Sequence, residues 1–395
     1  MTDKIKVSFV GCCLVDRIYN NISFSDSIFS TYLSKKRGDG GLTPGHLVFK
    51  EEFEEFKKIE FQEILKQITK GKKPDKMNIG GPGIVPFIHT SQMLEVAGCE
   101  CRFYGCGGKD ADGEFILSTL KQMNLSVENY HLSDNCTPST IVLSDPCYNE
   151  GHGERVFINS IGAAWDYGPN NLEESFFNSQ VVVFGGTALV PQIHDHLTEL
   201  LQKAKSKGCI TVVNTVFDFR NEKINPNKRW PLGKSNESYK NIDLLLVDKE
   251  EAFRFSGETD MGKAMLFFKD KGCAAVMVTN GSNNIRLYST GKVFKELIER
   301  EMPVSRLIVE KLKKGNKGDT TGCGDNFVGG VLASIVEQLQ QGVAHPDLIE
   351  AGSWGIVSGG FSCIYFGGTY FEKELGEKRK QINLLYDQYQ IQYGV

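Results

Sequence analysis

Apolar side chains recur along this chain with two periods, and the periods alternate. Dense apolar runs at 5–10, 181–184, 210–213, 242–247 and 274–278 read as strands. Between them, 192–207 and 260–271 carry apolar residues every three or four positions and read as helices. This alternation predicts an α/β protein with a central, mostly parallel sheet and right-handed crossovers. Three dipeptides punctuate it: Gly98-Cys99, Gly208-Cys209 and Gly272-Cys273. Glycine suits the position just past a helix, and cysteine behaves as a small buried hydrophobe, so each pair marks a helix-to-strand junction. The pattern changes in two places. Ser139–Leu143 and Arg155–Ile158 are β-rich and flank a Gly151-His-Gly-Glu-Arg turn, which predicts a hairpin within about 137–160. Residues 50–70 place Phe53, Phe56, Ile59, Ile64, Leu65 and Ile68 at helical spacing among charges, which predicts a solvated amphipathic helix. Gly367 and Gly368 follow an apolar helix at 353–366.

A length of 395 residues admits one large domain or two small ones. The net charge of −4 gives no broad basic surface for nucleic acid or an anionic membrane. The start runs straight into a strand without a secretory pattern, and no apolar run reaches membrane-helix length. The eleven cysteines form no C-x-x-C pair, which argues against zinc and for reduced thiols in the cytoplasm.

The richest chemistry lies in Gly318-Asp-Thr-Thr-Gly-Cys-Gly-Asp-Asn-Phe327. Beyond it, Phe327, Val331, Ile335 and Leu339 form one helix face, so a Gly-rich turn feeds a helix N-terminus. Free N–H groups there cradle an anion. Asp325 stands at the mouth of that cradle, either as a helix cap or as a base for an attacking hydroxyl. An anion site with a base beside it suits phosphoryl transfer. Asp16 follows the first strand at its C-terminal edge, where open α/β sheets bind ligands. Asp248 and Glu251 form a carboxylate pair suited to a hard cation, unless Asp248 merely caps a helix. Gly105-Cys-Gly-Gly-Lys-Asp110 imitates a dinucleotide fingerprint, but Asp110 stands where its third glycine belongs. His194 and His196 lie two apart on a helix and read as surface residues.

The string Asp-Thr-Thr-Gly-Cys-Gly-Asp-Asn-Phe resembles the C-terminal signature of the PfkB (ribokinase-like) sugar and nucleoside kinases, with Cys323 where that family usually has Ala or Gly. The resemblance extends along the chain and implies a ribokinase-like fold with a small β lid at about 137–160. One kinase domain would span 1–395, with an insertion at about 27–76. It implies ATP and Mg²⁺, with Asp325 as general base and the backbone N–H groups of Gly322, Cys323 and Gly324 holding the phosphoryl group. Asp16, Gly80, Gly81 and the lid carboxylate Glu154 would bind the acceptor. Asn214 and the Thr279-x-Gly281 turn would meet the nucleotide phosphates. Glu251, with Asp248 in place of the family's Asn, would hold Mg²⁺. The resemblance would also place Asp319 and Thr321 in a loop for a monovalent cation such as K⁺. A homodimer is compatible with all of this.

The acceptor side departs from the family pattern. Pro82, Val85 and Trp165 replace polar or small residues, so the acceptor is a sugar or, with these as a stacking wall, a nucleoside. Arg37 or Asp39, in the Gly-rich loop of the insertion, is expected to supply the missing acceptor contacts. A non-catalytic binding protein on the same scaffold conflicts with the intact Asp325 and Glu251.

Overall fold

A computed structural model describes residues 4–36, 38–95, 98–151, 153–314, 318 and 320–394. Among them are fourteen strands. In chain order these are β1 (Lys6–Gly11), β2 (Leu14–Tyr19), β3 (Leu47–Phe49), β4 (Lys76–Gly80), β5 (Glu100–Gly108), β6 (Tyr130–Ser133) and β7 (Ser139–Asp145). They continue with β8 (Glu154–Ser160), β9 (Val181–Gly185), β10 (Ile210–Asn214), β11 (Leu244–Asp248), β12 (Ala275–Thr279), β13 (Ile285–Ser289) and β14 (Leu297–Met302). Nine form the main sheet in the order β14-β13-β12-β11-β10-β9-β1-β5-β6. All its pairings are parallel except those of β13 with β12 and β14.

The first strand, β1, lies inside this sheet, flanked by β5 and β9. Its side chains alternate between two cores, as strand geometry requires. Val7 and Phe9 pack with the helices Ile84–Leu94, Cys323–Gln340 and Leu348–Ser362. Val10 packs on the opposite face with the helix Leu197–Ser206. The predicted glycine junctions hold: Gly98, Gly208 and Gly272 have φ of +71°, +81° and +92°. No helix of the described residues is long and apolar enough to cross a membrane.

The lid is broader than the sequence suggests. Its sheet has five strands, in the order β3-β8-β7-β2-β4, so the 137–160 hairpin supplies two of them. Segment 27–76 is a working part of this layer. Lys58 at φ +55° ends one helix, Lys50–Lys57, before a second, Phe61–Thr69. Phe53 and Ile64 are both 0% exposed and share a core with Ile141, Leu143, Val156 and Ile158 of the hairpin. The expected solvated helix is thus two helices sealing one lid face. Phe53→Ala should remove about 3–5 kcal/mol of that packing. Amide exchange in β7 and β8 should accelerate before exchange in β1 and β9 does; equal protection in all four strands would contradict this.

The other lid face meets the main body. Phe49 and Phe219 rings lie 5.8 Å apart, and Lys76 Nζ donates to Phe366 O at 2.6 Å. Asp110 fixes the lid's root. It caps the helix Ala111–Gln122 through Gly113 N–H and accepts from the backbone and hydroxyl of Thr137 at 2.8 and 2.6 Å.

Candidate active site

Three parallel strands, β10, β11 and β12, end at one edge of the main sheet. Their register brings Asn214, Asp248 and Thr279 to that edge. Opposite stands the N-terminus of the helix Cys323–Gln340. Gly322 opens it at φ +75°, and a Cβ there would lie 2.5 Å from Gly368 Cα, so this turn requires glycine. At Gly324 an added Cβ would meet nothing within 4 Å, so the backbone faces open space. The cleft between, about 270 Å³, is lined by Asn214, Asp248, Glu251, Thr279, Gly322, Cys323, Gly324 and Asp325. A trough continues past Thr279 and Gly281 to Arg286 and Glu301. Cys323 N–H already reaches Thr320 O at 3.3 Å, whereas the Gly324 and Asp325 N–H groups have no carbonyl partner among the described residues. Such unpaired first-turn donors attract an anion.

The turn is held by the residue after Asp325. Asn326 is 0% exposed, and its Nδ2 donates to Gly322 O and Gly368 O, both at 2.8 Å. Its Oδ1 faces His89 Nδ1 at 2.7 Å and accepts from Lys378 Nζ and Tyr365 OH, both at 3.2 Å. Burial pushes the Lys378 ammonium down to about 7. Four elements thereby fix the backbone from which Asp325 projects.

Loss of surrounding water pushes the Asp325 carboxyl up to about 7. Glu251 is pushed to about 8, first by burial and then by neighbouring Asp248. Asp248 and Glu251 form a capping box on the helix Lys249–Ser256, with Glu251 N–H donating to Asp248 Oδ1 at 2.8 Å. Asp248 is therefore engaged as a cap, while Glu251 accepts from Thr215 and lines the cleft. Asn214 Nδ2 donates to Pro82 O at 2.8 Å, and its buried Oδ1 has no partner among the described residues. An all-oxygen set with an unmatched acceptor fits a hard cation carrying waters. Glu251→Gln should raise the Mg²⁺ midpoint of activity at least several-fold while leaving the acceptor KM unchanged. A Mg²⁺ titration with an unchanged midpoint would assign Glu251 a purely structural role.

The other expected residues divide. Asp16 lies on β2 in the lid sheet, not at the edge of β1, because the chain turns at Cys12 and Cys13 and changes sheets. Its carboxylate would be 2.0 Å from a Cβ at Gly80, and Gly81 has φ +113° over Cys12 O, so both glycines are required. Burial, then Cys13, Asp325 and Asp16, push the Cys12 thiol up. Glu154 is not brought to the site. It pairs with Asp145 on the lid face that carries the 27–76 segment, and its Oε1 accepts from Arg155 N–H. Asp39 is not available to an acceptor either. Its oxygens accept from the N–H groups of Lys35, Lys36 and Gly41 at 2.8, 3.0 and 3.0 Å and close its own loop. Arg37 and Asp319 lie outside the described residues. Thr321 accepts from Arg155. Val85 is 1% exposed within the main core, whereas Trp165 is 47% exposed and Pro82 lines the cleft. His194 is buried, not superficial. The helix Pro191–Asp195 stops before His196, and His194 turns inward to Thr187 at 3.0 Å and Gly233 N–H at 3.3 Å.

Two features escaped the sequence reading. Arg155, next to Glu154 and therefore on the opposite face, donates to the hydroxyls of both Thr320 and Thr321. The strand registers Asn78↔Asp16↔Thr140↔Asn159 also set four polar side chains in one row across the inner lid face. All four are at most 5% exposed. Asn159 Nδ2 donates to Thr140 Oγ1 at 2.9 Å, and Asn78 Nδ2 to Phe366 O and Thr369 O at 3.0 and 3.2 Å. A buried Asn ending the run Val156-Phe-Ile-Asn159 is out of character for an apolar strand, and that was the available clue.

The sequence profile of the pfkB family carbohydrate kinases matches residues 78–370. The probable fructokinase-4 of Arabidopsis thaliana is 24% identical over 271 residues, covering 66% of this chain and 74% of that protein. The adenosine kinase of Schistosoma mansoni, solved with 2-fluoroadenosine, superposes with a TM-score of 0.70 at 16% identity over 93% of this chain and 97% of that one. An E. coli protein solved with ATP and Mg²⁺ superposes with a TM-score of 0.64 at 14% identity over 98% and 99%. The two structural likenesses establish the ribokinase-like fold. With a family match over most of its length, the chain belongs to the PfkB family of carbohydrate kinases and is a phosphotransferase.

Proposed function

We propose that this kinase transfers the γ-phosphoryl group of ATP to a hydroxyl of a small sugar. Asp325 takes the hydroxyl proton, and desolvation, which pushes it up to about 7, matches it as a base to neutral pH. The Gly322-Cys323-Gly324 turn, foremost the Gly324 N–H, holds the transferring group. Glu251, with Asn214 Oδ1, would hold Mg²⁺ through waters, and that ion would neutralise phosphate charge. The trough from Thr279 to Arg286 is the proposed nucleotide path.

The observation that carries the sugar reading is the polar row of the lid. Asp16, Thr140 and Asn159 offer a carboxylate, a hydroxyl and an amide oxygen at one level, a match for several acceptor hydroxyls. Val85, one of the three apolar residues that would favour a nucleoside base, is withdrawn into the main core. The test is turnover with MgATP on D-fructose, D-ribose and adenosine. A sugar should be preferred; preference for adenosine would overturn the reading. Thr140→Val with Asn159→Leu should raise the sugar KM by roughly 5- to 150-fold, as ~1–3 kcal/mol of lost hydrogen bonding implies, without changing the ATP KM.

A further inference from the structure

Cys323 lies within the proposed phosphoryl cradle, and its sulfur is 3.2 Å from that of Cys363. The two residues are forty positions apart and belong to different helix ends: Cys323 begins Cys323–Gln340, and Cys363 caps the C-terminus of Leu348–Ser362. The helices touch closely there, since a Cβ at Gly359, one turn before Cys363, would lie 2.8 Å from Cys323 O. Neither cysteine is in a disulfide, both are partly exposed, and Cys323 lines the cleft. We infer that Cys323 and Cys363 form an oxidative modification site, which a small hydroperoxide converts to a disulfide that disables the cradle.

The chemistry balances with one equivalent of hydrogen peroxide. The Cys323 sulfur attacks a peroxide oxygen; an S–O bond forms, the O–O bond breaks, and the released hydroxide takes the thiol proton as water. The Cys363 sulfur then attacks the Cys323 sulfur; the S–S bond forms, the S–O bond breaks, and a second water leaves with the Cys363 proton. Two electrons pass from the thiol pair to the peroxide. Closing 3.2 Å to a bond of about 2.05 Å moves the sulfurs together by more than ~1 Å, and one of them belongs to a cradle residue. A displacement of that size at a reacting centre lowers turnover by about 10²-fold. Cys363 itself lies outside the cradle, so replacing it leaves the cradle residues in place.

The functional consequence rests on the kinase reading, but formation of the bond does not. The purified full chain is treated with hydrogen peroxide, remaining thiols are capped with N-ethylmaleimide, and the digest is mapped by mass spectrometry. A Cys323–Cys363 linked peptide is expected. Thermal shift with MgATP, which needs no acceptor, should lose its nucleotide-induced stabilisation, and sugar turnover should fall at least 10-fold. Dithiothreitol should restore both. Cys363→Ala should keep basal turnover, give no linked peptide and show no dithiothreitol-reversible loss. The proposal is overturned by the absence of the linked peptide in the wild-type chain, which needs no variant to test. It is equally overturned by full turnover in the linked protein, or by the same reversible loss in Cys363→Ala. A linked protein that binds MgATP less tightly while neither form phosphorylates a sugar would leave this site standing and reject the sugar reading alone.

Discussion

Asp325→Asn should fold, bind MgATP nearly as well as the wild type, and lose at least ~10²-fold in phosphoryl transfer, the low end for removing a general base. The amide keeps the shape and the first-turn position of the carboxylate, so the loss isolates proton acceptance. Two pH measurements separate this from a structural effect. A base must be ionised to act, so wild-type kcat/KM should rise with pH through about 7, the value to which desolvation pushes Asp325. Stability should move the other way. The folded value lies above the ordinary 3.8, so the folded state holds this proton more tightly than the unfolded chain. The stabilisation is complete below the ordinary value, falls across the window from 3.8 to about 7, and is absent above it. The Asn variant lacks this loss and should melt higher than the wild type at pH 8. A variant with near-normal turnover would remove Asp325 from the chemistry.

Arg155→Met should lower kcat/KM by about 10²-fold, within the range for losing one well-placed donor to transition-state charge. The guanidinium reaches from β8 to the Thr320 and Thr321 hydroxyls, directly before the cradle. A charge there counters the anion and ties lid closure to the turn that holds it. Lysine should rescue only part of the loss, because it keeps the charge but not the two-pronged fork. If Arg155 serves lid closure alone, acceptor KM will rise with kcat unchanged; an unaffected kcat/KM would make it a surface residue.

The neighbours Glu154 and Arg155 show where sequence reasoning stops. Side chains alternate faces along a strand, so a shift of one residue exchanges the outside of the lid for the inside. The sequence located Glu154, and the register turns its neighbour Arg155 to the face that meets Thr320 and Thr321. The same limit hid the polar row, because Asp16, Asn78, Thr140 and Asn159 become neighbours only through pairings among β2, β4, β7 and β8. By contrast, the Gly-rich turn that opens the helix Cys323–Gln340 was legible, since its glycines, carboxylate and helix face are contiguous in the chain. The main sheet was legible for a similar reason: each strand–helix unit carries its own periodicity and its own glycine stop. Asp39 misled because an isolated loop carboxylate reads as available, whereas its partners are the N–H groups of its own turn.

The position of β1 also sets a timetable for making the protein. Val7 meets Val181 in β9, so β1 leaves the ribosome and waits for a strand that emerges much later. At ~5–20 residues per second that interval is on the order of 10–35 s. Until then β1 can pair with β5 alone, and its other edge stays open to whatever strand is nearby. A nascent chain stalled before Gly185 therefore carries an unfinished sheet edge. Chaperone engagement, measured as a function of chain length, should decline only after that strand has cleared the exit tunnel.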